Sequence, residues 1–212
     1  MTHSPRSSTA VSPTTPNGTR RSQRTRGSSP TSGSATSGPC PTSPALPLRA
    51  LTSHTGAVSA VAISPDGTWL ATGRHDRTVR LWDHATGAQA TIRVYHHGWV
   101  FSVAIVVDGT WLATAGGDRA VRISDHAAGT QTAVLTGHTD WVRAVAISPD
   151  GTWLATGGHD GTVRIWNTIS RAPVAMMRTE SKIASCSWSS DSLSLAVGSD
   201  GGLHYFRFHP GS

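Results

Sequence analysis

No Asp or Glu occurs before Asp66, and Lys182 is the one lysine of the chain. Because Lys182 stands outside any glycine-rich loop, a phosphate-cradling GxxxxGK segment is excluded, and no nucleotide cofactor is expected. Cysteine is almost missing as well. Cys40 and Cys186 are too isolated for a disulfide framework or a Cys-rich metal site, and two lone thiols suit a reducing compartment, so the cytoplasm is the expected location. No apolar run reaches the roughly 7–15 residues of a signal-peptide core or the roughly 18 of a membrane span, and no membrane partner is expected.

Residues 1–44 lack Leu, Ile, Phe, Trp, Tyr, Asp and Glu altogether. A stretch of Ser, Thr, Pro and Arg buries too little apolar surface to offset an ordering cost of about 1–2 kcal/mol per residue, so a disordered tail is expected there. The net charge of +6 is concentrated in the part of the chain before Asp66, where Arg6, Arg20, Arg21, Arg24, Arg26 and Arg49 meet no acid. Arg20–Arg26 could neutralise phosphates, but no aromatic residue is present to stack on bases, and a solvated linker is preferred to a nucleic-acid partner. The composition is similar to an organelle transit peptide, yet its prolines interrupt any amphipathic helix.

What the chain has in abundance is repetition. The hexapeptide GTWLAT stands at Gly67–Thr72, Gly109–Thr114 and Gly151–Thr156, a period of 42 residues without slippage. The fullest copy, Leu135–Asn167, reads LTGHTDWVRAVAISPDGTWLATGGHDGTVRIWN, with G-H, S-P-D-G, L-A-T-G, H-D-G-T and I-W-N in order. Leu51–Asp83 matches it closely, with Ser53-His54 for the Gly-His pair and Trp82-Asp83 at the end. Arg93–Asp125 is a degraded copy, without Ser-Pro before Asp108-Gly109 and with Ser124 in place of Trp. A fourth, Met177–Phe206, keeps Trp188, Asp191, Asp200-Gly201 and Phe206.

Residues 45–209 therefore resemble the WD40 repeat family, in units near 51–92, 93–134, 135–176 and 177–208. The resemblance implies an all-β fold of about four four-stranded antiparallel propeller blades. Pro-Asp-Gly and Asp turns separate short apolar runs, which predicts strands near Val58–Ile63, Trp69–Gly73, Thr78–Trp82 and Gln89–Val94, and the same register onward. The last unit supplies only three strands, and Ala45–Leu51 is expected to complete it as a fourth. Rings of this family commonly hold more blades, so a small ring, an open arc, self-association with a second copy and a fragment of a larger gene product all stay open.

An Asp, a His and a hydroxyl in one unit (His138, Thr156, Asp160, with Trp166) could suggest a nucleophilic triad and an enzyme on a propeller scaffold. The resemblance implies instead a structural hydrogen-bond network, which His54, Thr72, Asp76 and Trp82 repeat and which His96, Thr114 and Asp118 carry without an indole. An active site would not recur in consecutive units, so no catalytic residue is assigned. The second and fourth units are expected to be soft, the fourth because Val197, Asp200 and Phe206 cannot form the network, and Asp118 is expected to matter less than Asp160 because Ser124 supplies no indole donor. His96-His97, Asp83-His84 and Asp125-His126 lack the converging partners of a zinc site, so no metal is assigned.

The expected function is a non-catalytic scaffold that binds other proteins. Its candidate face holds Trp99 and Trp141 before the inner strands, and Arg74, His75, Arg77, Arg119 and His159 in the Asp turns; burial of both tryptophans beneath neighbouring blades is the competing reading. The near-identical units resemble the WD40 arrays of actinomycete bacterial proteins, some attached to NB-ARC/STAND-type ATPases, which implies a sensor or interaction role in signalling. No such ATPase is present in this sequence.

Overall fold

The computed structural model describes residues 50, 51, 54, 56–90 and 94–209. They fall within one of the two units of the chain, Pro47–Ser212. The expected tail at 1–44, residues 45–49 of the expected closing strand and residues 91–93 of the strand expected at Gln89–Val94 lie outside the described residues. Ala50 and Leu51, which are described, belong to no strand.

Among the described residues every regular element is a β-strand. The first sheet is β1 (Val58–Ile63), β2 (Trp69–Arg74), β3 (Val79–Asp83) and β4 (Gln89–Ala90); the second is β5 (Val100–Ile105), β6 (Trp111–Gly116), β7 (Val121–Asp125) and β8 (Thr130–Leu135). The third is β9 (Val142–Ile147), β10 (Trp153–Gly158), β11 (Thr162–Asn167) and β12 (Pro173–Arg178), and the last is β13 (Ile183–Trp188), β14 (Ser194–Ser199) and β15 (Gly202–Arg207). Strands pair with their chain neighbours in antiparallel order, giving three four-stranded blades and one of three strands. Among the described residues no helix is long and apolar enough to cross a membrane.

Turn chemistry sets this order. Gly67, Gly109 and Gly151 all take φ near +71 to +72°, which a side chain would disfavour. In the first turn the Asp66 carboxylate accepts from the Ser64 hydroxyl at 2.6 Å and from the Thr68 amide at 3.1 Å, and these bonds hold its pKa at about 2. The second turn survives the loss of Ser-Pro because Asp108 still accepts from the Thr110 amide at 2.9 Å and Gly109 N–H still reaches Val106 O.

Each inner strand carries a bulge at its second residue. The pairing steps from Val58 to Ala60, from Val100 to Ser102, from Val142 to Ala144 and from Ile183 to Ser185, which leaves Ser59, Phe101, Arg143 and Ala184 outside the ladder.

Three hydrophobic clusters hold the blades together, one at each junction between consecutive blades. At the first, Ala71, Val79 and Leu81 pack against Val100, Val103 and Ile105. At the second, Ala113, Ala115, Val121 and Ile123 meet Val142, Val145 and Ile147; at the third, Ala155, Val163 and Ile165 meet Ile183, Cys186 and Trp188. Complete burial of one such side chain stabilises by about 1.5–3 kcal/mol. Burial also pushes the Cys186 thiol up to about 12, so it stays protonated at the third junction.

Candidate interaction face

In the first blade His54 Nε2 lies 2.6 Å from the Thr72 hydroxyl and its Nδ1 lies 3.2 Å from Asp76, while the Trp82 indole donates to Thr72 at 2.9 Å. The third blade repeats this with His138, Thr156 (2.9 Å), Asp160 (3.0 Å) and Trp166 (3.0 Å). An imidazole that donates from Nδ1 to the carboxylate must accept at Nε2, so the Thr proton points at the ring and its oxygen receives the indole. Thr114 and Thr156 are completely buried and Thr72 nearly so. A hydroxyl that no substrate reaches is no nucleophile.

The second blade keeps His96 at 2.9 Å from both Thr114 and Asp118. Ser124, in the indole's place, is buried with its hydroxyl unpartnered. Arg122 argues against the expectation that this blade's Asp matters less. Its Nη1 donates to Asp118 Oδ2 at 2.7 Å while His96 Nδ1 faces Oδ1, so two donors converge on one carboxylate. Asp118 also accepts from the His97 amide at 2.9 Å. Burial alone would raise its pKa, but the bonds from His96 and His97 and the Arg122 charge hold it well below the usual carboxylate range.

Burial pushes the His96 and His138 pKa values below the ordinary 6.5, against the pull of their aspartates. The equivalent arginines are held differently: Arg80 donates to Gln89 at 2.9 Å and lies only loosely beside Asp76, at 3.9 Å, and Arg164 donates to Gly137 O at 2.7 Å. Their common place in VR(L/I) of the third strand was the sequence signal for this position. The fourth blade has Val197 buried where Thr stood, and Ser199 pairs with His204 at 3.0 Å instead.

Above the network, the loops before β5 and β9 set Trp99 and Trp141 at the surface, both exposed rather than packed under a blade. His75 stacks on Trp99 across the first junction at 4.5 Å between centroids, and His159 lies 5.5 Å from Trp141. The two indoles are 6.2 Å apart. Phe101 fills the angle between them, 5.5 Å from Trp141, with the Arg143 guanidinium 4.5 Å above its ring. The result is one aromatic ladder across three blades.

Phe101 and Arg143 are the two bulged residues of β5 and β9, and sequence reasoning missed both. The signal was available: in V-x-(A/S)-V the second position alone varies freely, as Ser59, Phe101 and Arg143. Gly117 stands where the neighbouring blades have His75 and His159, and the missing ring leaves a cleft of about 170 Å³ lined by Arg77, His97, Gly98, Trp99, Phe101, Gly117 and Trp141. The structure thus brings together His75, Arg77, Trp99, Trp141 and His159. Arg74 lies instead beside Gly56 in its own blade, and Arg119 holds a left-handed turn (φ 64°) outside the cleft lining. Burial, opposed in part by Asp140 and Asp200, together with the Arg143 and Lys182 charges lowers the His159 pKa.

Comparison with known proteins gives a consistent picture. The model of the family described as "WD domain, G-beta repeat" matches residues 46–83, 89–125 and 129–167, more than half of the chain. Protein Mut11 of Chlamydomonas reinhardtii is 63% identical over 41 residues, 19% of this chain and 11% of that protein. Ribosome biogenesis protein erb1 of Botryotinia fuckeliana is 58% identical over 36 residues, 17% of this chain and 5% of its own length. Pre-mRNA-splicing factor PRP46 of Yarrowia lipolytica is 46% identical over 39 residues, 18% and 9% of the two chains. In each case the match spans about one repeat, a small part of the relative's length.

Proposed function

Because this chain belongs to the WD40 repeat family, we propose that it is a non-catalytic scaffold that binds other proteins through the face built on Trp99, Phe101 and Trp141. The exposed aromatic ladder carries this reading. Large aromatics and arginines dominate interface energies when truncated, and here they are held rigidly by neighbouring blades with an open cleft between them. A side chain that is aromatic or carries a carboxylate fits the cleft, since Arg77 and the indoles supply a cation and π faces.

The relatives bear names from ribosome biogenesis and pre-mRNA splicing. A shared single repeat supports the interaction module and not those pathways. A signalling switch is the partner class favoured by the likeness to actinomycete arrays, and the cytoplasm is the proposed compartment, supported by the lone thiols Cys40 and Cys186. Partners captured from a lysate by the intact protein, cross-linked and mapped, test the reading. Trp99→Ala and Trp141→Ala, shown by circular dichroism to fold, should lose the captured protein; undiminished capture by both would overturn it.

A further inference from the structure

Within the chain, one kind of surface meets a second kind three times. The leading face of a blade, on its second and third strands, receives the trailing face of the next, on its inner strand. The fit is close. A Cβ added at Gly73 would lie 2.6 Å from Val100 Cγ1 and 3.1 Å from Val103 Cγ2, and one at Gly157 would collide with Ile183. At these two junctions glycine is the slot, at the second it is the small Ala115, and the branched residues of the next inner strand are the knob.

The two ends of the series present the same faces without this cover. On the trailing face of the first blade Val58 is 47% exposed, whereas the equivalent Val100, Val142 and Ile183 are fully buried; Val61 and Ile63 are 60% and 65% exposed, whereas the equivalent Val145 is buried and Val103, Ile105 and Ile147 are half-buried. On the leading face of the last blade Leu203 and Tyr205 are 79% and 69% exposed, whereas the equivalent Val163 and Ile165 are fully buried. Among the described residues, the slot at Gly198 is met by Ser185 of its own blade alone. Moreover, Val58–Gly73 differs from Val142–Gly157 only at the bulged position, Ser59 against Arg143. The face exposed at the start is chemically the one that the third blade already buries against a leading face.

We propose that the occupant of both ends is a second copy of this chain, the leading face on β14 and β15 of each copy packing on the trailing face of β1 of the other. Two identical junctions related by a two-fold axis would leave no face uncovered and would complete a ring of eight blades; an unrelated protein would have to match knob and slot separately. This assembly goes beyond the interaction reading above and uses none of the aromatic ladder.

Sedimentation equilibrium of the full chain is expected to give twice its 22.2 kDa mass. Val61→Glu and Leu203→Glu alter side chains already exposed in the single chain, so both should keep the dichroism of the parent. Each should weaken self-association by at least about tenfold. Mixing the two should restore a dimer, because one junction of that pair has both faces intact. If Val61→Glu fails to fold, Ile63→Ser takes its place. The proposal is overturned if the parent has the mass of one chain, if mass grows with concentration beyond two chains, or if either folded variant dimerises as the parent does. It is also overturned if the mixture of the two variants stays monomeric.

Discussion

Replacing Asp118 by Ala should destabilise the protein more than replacing Asp160, although the blade of Asp118 has the poorer network. Asp160 bonds His138, the Thr139 amide, the Thr162 amide and the Thr162 hydroxyl, all neutral donors. Loss of that set leaves buried donors unsatisfied at about 1–3 kcal/mol. Asp118 bonds His96 and the His97 amide and also carries the whole counter-charge of Arg122, at 2.7 Å with both side chains only 9% exposed. Removing one member of such a pair strands the other charge, a loss of about 3–5 kcal/mol. Urea unfolding followed by tryptophan fluorescence reads both variants, and an unchanged slope shows that the same transition is compared. The double change Asp118→Ala with Arg122→Met should recover part of the loss, since no charge is then left buried. If Asp118→Ala costs no more than Asp160→Ala, or if the double variant is less stable than Asp118→Ala alone, Arg122 is not held by this carboxylate.

Two further outcomes follow from the network. Ser124→Ala should leave stability unchanged or raise it by up to about 1 kcal/mol, because the hydroxyl is buried without a partner; a measured loss in the same urea assay would mean that it has one. His96 and His138 have folded pKa values below 6.5, so the unfolded chain takes up protons first as pH falls; their contribution is intact above about 6.5 and is lost as pH drops toward the folded values. The thermal midpoint should therefore decline between about pH 7.5 and about pH 5, before the lowered Asp118 and Asp160 begin to titrate, and a flat midpoint across that window would contradict burial of neutral imidazoles.

Much of this architecture can be read from residue order because each local signal agrees with the repeat. Val58–Ile63, Val100–Ile105, Val142–Ile147 and Ile183–Trp188 are strands with the bounds that the apolar runs suggest. The third strands of the first two blades begin one residue later than expected, at Val79 and Val121, whereas that of the third blade begins at Thr162 as expected. What stayed hidden depends on approach between blades. Arg122 looks like any solvated strand arginine until burial forces a partner on it, and Phe101 looks like a core residue until the bulge turns it outward. Nothing in the local pattern of Val61 or Leu203 shows that a junction is open there, since the same pattern is buried elsewhere in the chain.

The recurrent bulge separates two kinds of inheritance. A residue inside the ladder is constrained by the partner strand, the adjacent blade and the register, and its tolerated alphabet is correspondingly small. The bulged residue pairs with nothing in the ladder, and in these four blades it is Ser, Phe, Arg and Ala. One codon per blade can thus drift without disturbing the frame, and the first, Ser59, has a hydroxyl that reaches Val100 O of the next blade while the second and third build the aromatic face. Duplication of a 42-residue unit followed by change at that codon would write a new surface onto an unchanged scaffold, so descent by copying and divergence of recognition can proceed at different rates in the same gene.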